Sequence, residues 1–444
     1  MRLFLFLAFL PLTLACQAGT TAVPAPPYDA RADVELFLRA KTAGQEAEAL
    51  DRLRFNKVSN EDVKSLLREI HKGGSAGPTG PQTGLAIEHN KKPYPYALFV
   101  PEPLERGRSY PLIVVLHGAG GSGEVTLPAW VKRLRGEFII ACPTYPMGAW
   151  WTLTAEKVVL ELIEKLQAEY PADPNRVFLA GLSNGAIGAY LIGMFSPDRF
   201  AGIVPIAGAV TERYMHFLIN LRNTPVYMIQ GQKDPIFPIQ LSRRIHQILS
   251  DMKYPVVYRE HEEAGMAHGG HFLPEAEVPA LYDWLMAQGR KNNPAVIRMT
   301  REENHLDRIH WARLTKGRQL AALQLPGPED EPIHSRDGKI ATLFAVYKGR
   351  NEFEVMGNNL LEYEIYLNSE MVDFDAPIRV STQNIAIADT GVVPGEMLAS
   401  FNDKVAKDMG ALLSGYKSRR DPYQLYDAKI KISLEKDIEV AFNR

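Results

Sequence analysis

Apolar and polar positions follow two rhythms through the middle of the chain. Short apolar runs ("YALFV", "LIVVLHG", "FIIACP", "RVFLAG", "GIVPIAG", "PVYMIQG", "PVVYREH") alternate with stretches in which apolar residues recur every three or four positions, as Val158, Val159, Leu162, Ile163 and Leu166 do. Runs of that length read as buried strands, and the longer rhythm between them reads as helices. Their alternation predicts an α/β fold over residues 81–290, a doubly wound, mostly parallel sheet with helices on both faces.

The flanks have other textures. Residues 19–80 open with a Pro/Ala tether, "TTAVPAPPYDA", and from Ala32 to Ile70 apolar residues return at helical spacing (Val34, Phe37, Leu38; Val63, Leu66, Leu67), which predicts a short helical segment. "HKGGSAGPTGPQTG" then breaks the pattern. After "RKNNP", short strand-like runs such as "HWARL", "IATLFAVYKG", "LEYEIYLN", "PIRVST" and "YDAKIKISL" predict a separate β-rich C-terminal domain over 294–444. One helical insert is expected in it near Met397 to Tyr416, and no repeat of fixed period is present.

At the N-terminus, "MRLFLFLAFLPLTLAC" sets Arg2 before an apolar run long enough for a signal-peptide core and too short to span a bilayer. Residues 1–18 therefore read as an export signal. Cys16 after Leu14 and Ala15 resembles a lipoprotein cleavage site, which gives two expectations: membrane attachment through a lipidated Cys16, or simple cleavage near Ala18. Once the signal is removed, Cys142 is the one other cysteine, so no internal disulfide is expected.

Composition narrows the field. With 444 residues, 46% hydrophobic content and a net charge of −2 from interspersed acids and bases, the chain has the size of several globular units and lacks the basic stripe that a phosphate backbone demands. Nucleic acid is excluded as an expected partner.

The candidate chemistry lies at the ends of the strand-like runs. "RVFLAGLSNGAIGAY" places Gly181-Leu182-Ser183-Asn184-Gly185 between a strand and a helix, where a tight turn lifts the Ser183 hydroxyl above the sheet edge and aims helix amides at what it attacks. Upstream, "LIVVLHGAGGSG" ends in a glycine-rich loop. The amides of Ala119 or Gly118, with that of Asn184, are the candidate oxyanion donors. Downstream, Asp234 comes after the strand ending in Gly231, which makes it the candidate orienting acid. Two histidines then compete as base: His268 in "GMAHGG" is preferred and His271 is the alternative, with His261 nearby. A metal site built from these histidines is disfavoured, because no H-E-x-x-H helix is present and glycines between the ligands would hold them poorly. The chemistry needs no cofactor. Trp150 and Trp151 come after the strand "FIIACP" and are candidates for a substrate pocket.

Together these motifs resemble an α/β-hydrolase of the phospholipase/carboxylesterase type, similar also to feruloyl-esterase-like and polyhydroxybutyrate-depolymerase-like exported esterases and to acyl-protein thioesterases. The resemblance covers Leu85 to Gly289. It implies an eight-stranded sheet and a Ser-His-Asp triad that cleaves an ester of a small molecule or polymer. The G-x-x-H pattern favours His268, whereas the spacing to the last helix favours His271. One departure is Ala186, where many such elbows have a second glycine. A prolyl-oligopeptidase-like peptidase and a non-catalytic surface-binding lipoprotein are the alternative functions. Every candidate catalytic residue precedes the β-rich tail, which is therefore expected to contribute no chemical group.

Overall fold

The computed structural model describes residues 28–72, 77–105, 107–264, 269–305, 308–325, 327–328, 335–388 and 391–434. The export signal with Cys16, and His268, lie outside the described residues.

Three helices come first: α1 (Ala30–Arg39), α2 (Ala43–Phe55) and α3 (Asn60–Lys72). Each of the first two starts where a side-chain oxygen meets an amide the helix leaves unpaired, Asp29 accepting from Arg31 N and Thr42 from Gln45 N.

The central region runs β1 (Gly80–His89), β2 (Lys92–Val100), β3 (Tyr110–Leu116), α4 (Gly123–Arg133), β4 (Ile139–Pro143), α5 (Leu153–Glu169), β5 (Ala172–Leu182), α6 (Asn184–Phe195), β6 (Gly202–Ile206), the single turn α7 (Glu212–Met215), β7 (Val226–Gly231), α8 (Ile239–Asp251), β8 (Val256–His261) and α9 (Val278–Ala287). Its strands form one sheet in the order β1-β2-β4-β3-β5-β6-β7-β8. The β1–β2 and β2–β4 pairs are antiparallel and the rest parallel. β3 shows why its sequence is apolar without alternation. Leu112, Val114 and Leu116 join a core with α5 and α6, while Ile113 and Val115 join another with α4 and α9, so both faces of the strand are covered. β1 starts inside the stretch read as a break. Its place at the sheet edge, with a register shift between Gln82 and Leu85, accommodates Pro81 and Gly84.

The C-terminal region comprises β9 (Val296–Arg301), β10 (Arg308–Ile309), β11 (Ala312–Gly317), β12 (Ala341–Gly349), β13 (Glu352–Asn358), β14 (Leu360–Leu367), β15 (Ile378–Ala388), β16 (Gly391–Asp403), α10 (Met409–Arg419) and β17 (Ala428–Ser433). Two sheets, β10-β11-β14-β17 and β16-β15-β13-β12-β9, share one apolar core that includes Trp311, Leu343, Val355 and Tyr363. The helical insert is shorter than expected. Residues Met397 to Asp403 pair with β15 as strand, and the helix opens only after Asp408, whose carboxylate accepts from Gly410 N.

The three regions are bound to one another. Met409, Leu412, Leu413 and Tyr416 of α10 pack against Val34, Phe37, Leu53 and Leu67, so the N- and C-terminal helices make one bundle. Asp198, just after α6, is wholly enclosed and takes Arg419 Nη2 and the His310 amide, each at 2.8 Å. Burial alone would raise its carboxyl, but Arg419 and its neighbours outweigh that and hold it far below the ordinary carboxylate range. Arg290 lies on both oxygens of Asp421, at 2.6 and 3.0 Å. Among the described residues no helix is long and apolar enough to cross a membrane.

Candidate active site

Ser183 occupies the corner between β5 and α6 with φ +60° and ψ −120°, backbone that a side chain rarely adopts. The neighbours that allow it are glycines. A Cβ on Gly181 would stand 2.0 Å from Gly185 O, and one on Gly185 would stand 2.1 Å from Leu116 O, so the turn closes only without side chains there. The Ser183 amide is tied to Ile206 O at 3.0 Å. Ala186, the departure from the two-glycine elbow, fits as a buried methyl at the start of α6.

The loop after β3 faces this corner. A Cβ on Gly118 would lie 3.3 Å from Ser183 Cβ and 3.8 Å from its Oγ, so the glycine leaves the approach open. His117 shapes the loop from beneath. Its Nε2 accepts from Tyr145 N at 3.2 Å, which puts the ring proton on Nδ1, 2.7 Å from Gly118 O. Burial lowers its pKa and favours this neutral form. Trp150 Nε1 donates to His117 O at 2.8 Å, and the Asn184 side chain donates to Met147 O at 3.2 Å. Trp150 is completely buried and edge-on to His117, so it supports the loop rather than walling an open pocket. That corrects the expectation for this residue. Trp151 is partly buried and packs on the same core.

Across the sheet edge, the Asp234 carboxylate is fully enclosed and has four partners. Oδ1 accepts the amides of Ile236 and Phe237 at 2.8 and 3.0 Å, and Oδ2 accepts Gln230 Nε2 at 2.9 Å and faces His271 Nδ1 at 2.9 Å. It is thus His271 that the structure brings to Asp234. The ring lies flat against Phe237, centroids 6.0 Å apart and planes at 7°. Gly269 and Gly270 fold this loop onto β7: Gly270 N donates to Lys233 O, and a Cβ on Gly231 would stand 2.2 Å from Gly270 O. His261 ends β8, buried against Phe272 with neither ring nitrogen hydrogen-bonded. Among the described residues, no group of three or more His, Cys, Asp or Glu side chains is placed to hold a metal ion.

β3, β5, β6, β7 and β8 run parallel, so Gly118, Ser183, Asp234 and His271 all lie beyond strand carboxyl ends on one edge, where open α/β sheets bind ligands. A cleft of about 670 Å³ opens beside them; Gly118, Leu182, Ile206, Trp130, Phe272 and Leu273 line it together with the charged Arg133, Glu263 and Glu275, whereas Ser183, Asp234 and His271 are not part of its lining. Sequence reading did not find Gln230, Phe237, Tyr145 or Met147. For Met147 the signal was the flanking pair Pro146 and Gly148, two turn-forming residues shortly after a strand end. A glutamine inside an apolar strand and a phenylalanine after a proline carry no such mark.

Residues 152–287, which hold Ser183, Asp234 and His271, match the phospholipase/carboxylesterase family. The central region is an α/β-hydrolase. The hydrolase is similar to acyl-protein thioesterase 1 of Neurospora crassa, at 23% identity over 39% of this chain and 84% of that protein. It is also similar to acyl-protein thioesterase 1 of Gibberella zeae, at 26% identity over 27% of this chain and 50% of that protein. Among solved structures, a thermostable esterase shares 25% identity over 46% of this chain and 62% of that chain, with a TM-score of 0.39. The Bacillus cereus carboxylesterase shares 22% over 44% and 93%, with a TM-score of 0.36. The family match over residues 152–287 supports a carboxylesterase or thioesterase in the broad sense.

Proposed function

We propose that the protein hydrolyses carboxylic esters through an acyl-enzyme intermediate on Ser183, with His271 as general base and Asp234 as the orienting acid. The observation that carries the reading is the Asp234–His271 hydrogen bond of 2.9 Å on the sheet edge that also holds the strained serine corner. With Nδ1–H directed at Asp234, His271 Nε2 is the nitrogen left to accept a proton. Ser183 Oγ gives up its proton to Nε2 as it adds to the ester carbonyl. The carbonyl oxygen becomes an oxyanion met by the amides of Asn184 and of Ala119 or Gly118. Collapse expels the alcohol, which takes the proton back from Nε2, and water repeats the sequence on the acyl-enzyme. His268 then has no part in proton transfer.

The apolar part of the cleft lining, Trp130, Leu182, Ile206, Phe272 and Leu273, supports an acyl group of some bulk, and the relatives named as thioesterases extend the candidate substrates to thioesters. Purified protein is to be assayed on p-nitrophenyl esters of increasing acyl length, on an acyl thioester and on aminoacyl nitroanilides. The proposal expects ester turnover with little or no anilide cleavage. Anilide turnover exceeding ester turnover would replace it with the peptidase reading. The apolar run before Cys16 supports export, with a mature chain that begins at Cys16 or near Gly19. An intact mass that starts at Met1 in cells would contradict it.

A further inference from the structure

His305 lies between the hydrolase and the C-terminal domain. Its Nε2 is 3.0 Å from Oε2 of Glu156 in α5, and its Nδ1 meets Oε1 of Glu302. The ring stacks on Phe195, the last residue of α6, with centroids 3.7 Å apart and planes at 7°. Ionised carboxylates only accept hydrogen bonds, so a ring that serves both must carry both protons. Burial alone would favour the neutral ring, but Glu156 and Glu302 outweigh it and push the pKa up to about 9.

Polar groups face this cluster from both sides, two cations among them: the wholly buried Arg301 of β9 donates from Nη1 to Phe195 O at 2.8 Å, and Arg213 of α7 acts on Tyr214 together with Glu302. Ser196 Oγ donates to Glu156 Oε1 at 3.3 Å, and Tyr214 of α7 borders the same crevice and feels the charge of Glu302. From the C-terminal side, Leu323 N and Asn304 N donate to Glu302 Oε2 at 2.7 and 3.2 Å, Gln324 lines the crevice, and Glu303 pairs with Arg336. Of the groups named, His305 is the one whose ring bonds both Glu156 and Glu302. Without its second proton the ring can donate to only one of the two carboxylates, and the other bond is lost.

Glu156 belongs to the first turn of α5, and the segment entering that turn holds the loop over Ser183. Thr152 caps the helix at Ala155 N, 3.1 Å, and its hydroxyl donates to Tyr145 OH at 3.0 Å. Tyr145 and Trp150 are the residues that bond His117, and His117 is next to Gly118. The C-terminal domain presses on the same segment: a Cβ on Gly327 would stand 2.5 Å from Thr152 Cγ2, and Leu323 and Leu325 pack on the hydrolase core.

We propose that His305 is a positioning residue for the esterase site: the Glu156–His305–Glu302 cluster braces the start of α5 and, through Trp150 and His117, holds the oxyanion loop at Ser183. The C-terminal domain thereby takes part in turnover without touching substrate. The proposal rests on the Ser183 reading, and fluorophosphonate titration separates the two. If the wild-type protein takes up no label, the Ser183 reading has failed; if it labels fully, only the brace is at issue.

The experiment is steady-state kinetics on a soluble ester between pH 7 and 10, for the wild type, His305→Gln and Glu156→Gln. At pH 7.5 each variant is expected to lose about tenfold or more in kcat with KM within about twofold, while titrating the same number of serines. Wild-type kcat is expected to fall through about pH 9 as His305 loses its proton, with the protein still folded by circular dichroism, and His305→Gln is expected to show no such limb. A kcat within about twofold of wild type in both variants would overturn the proposal. Should neither variant fold, the wild-type profile decides: a kcat level from pH 7.5 to 10 would overturn it.

Discussion

Replacing Asp234 with Asn changes the candidate triad with almost no change of shape, so its effect is set by the hydrogen bonds around the carboxylate. That group satisfies four donors: the Ile236 and Phe237 amides, Gln230 Nε2 and His271 Nδ1–H. Asn keeps one oxygen. If that oxygen stays with the two backbone amides, the new Nδ2 faces two donors. Gln230 is not free to turn, because its Oε1 is held by Ser242 Oγ at 3.1 Å. His271 escapes the clash by moving its proton from Nδ1 to Nε2, and that nitrogen then no longer accepts from Ser183. The variant also loses the negative charge that stabilises the imidazolium formed during attack. The loss in kcat should be on the order of 10⁴, equivalent to about 5 kcal/mol of barrier. The assay is turnover of a p-nitrophenyl ester at pH 7.5, paired with a melting curve to show that the variant is folded. A folded Asp234→Asn protein that retains more than about a tenth of wild-type kcat would refute the assigned role and the tautomer reasoning with it.

Two further outcomes concern the joins between regions. Ending the chain after Gly289 strips α1–α3 of their partner helix and leaves Asp198 enclosed without Arg419, a defect worth about 3–5 kcal/mol. The truncated protein is expected to aggregate on expression, and a soluble product with a native-like melting curve would contradict the interface between the regions. Asp421 sets an acid limit. Burial alone would raise its pKa, but Arg290 brings it down to about 2, against about 3.9 unfolded. Because the folded value is the lower one, the stabilisation is complete above about pH 4 and drains away as pH falls toward 2, by about 2 kcal/mol. Urea unfolding of the wild type and Asp421→Asn between pH 2 and 6 measures it; equal pH slopes in the two proteins would remove Asp421 from the account.

What the sequence made legible was whatever depends on neighbours along the chain. The buried strands of the hydrolase region, the Ser183 corner and the position of Asp234 each carry a local mark: an apolar run, a pair of glycines, a strand that leads into a turn. The partner of Asp234 did not. His268 and His271 are three residues apart in one glycine-rich stretch, and the meeting of His271 with the acid depends on how Gly269 and Gly270 fold against Gly231 and Lys233, a contact across the sheet edge. Trp150 was readable as an aromatic near the mouth, but its burial beneath His117 comes from three-dimensional packing. The bundle of α1–α3 with α10 joins segments from opposite ends of the chain, and no periodicity in either segment announces the other. The strand text of Met397 to Asp403 was hidden for a related reason: its pairing with β15, rather than its own pattern, makes it a strand.

The central claim is that Ser183 is a nucleophile activated by His271. The most direct test is the rate and position of covalent labelling by a fluorophosphonate, read by peptide mass, in the wild type and in Ser183→Ala, His271→Ala and His268→Ala. The account predicts one label on the Ser183 peptide in the wild type, the same label at a comparable rate in His268→Ala, none in Ser183→Ala, and labelling slowed by about a hundredfold or more in His271→Ala. A label on another residue, or slow labelling in His268→Ala beside wild-type labelling in His271→Ala, would contradict it.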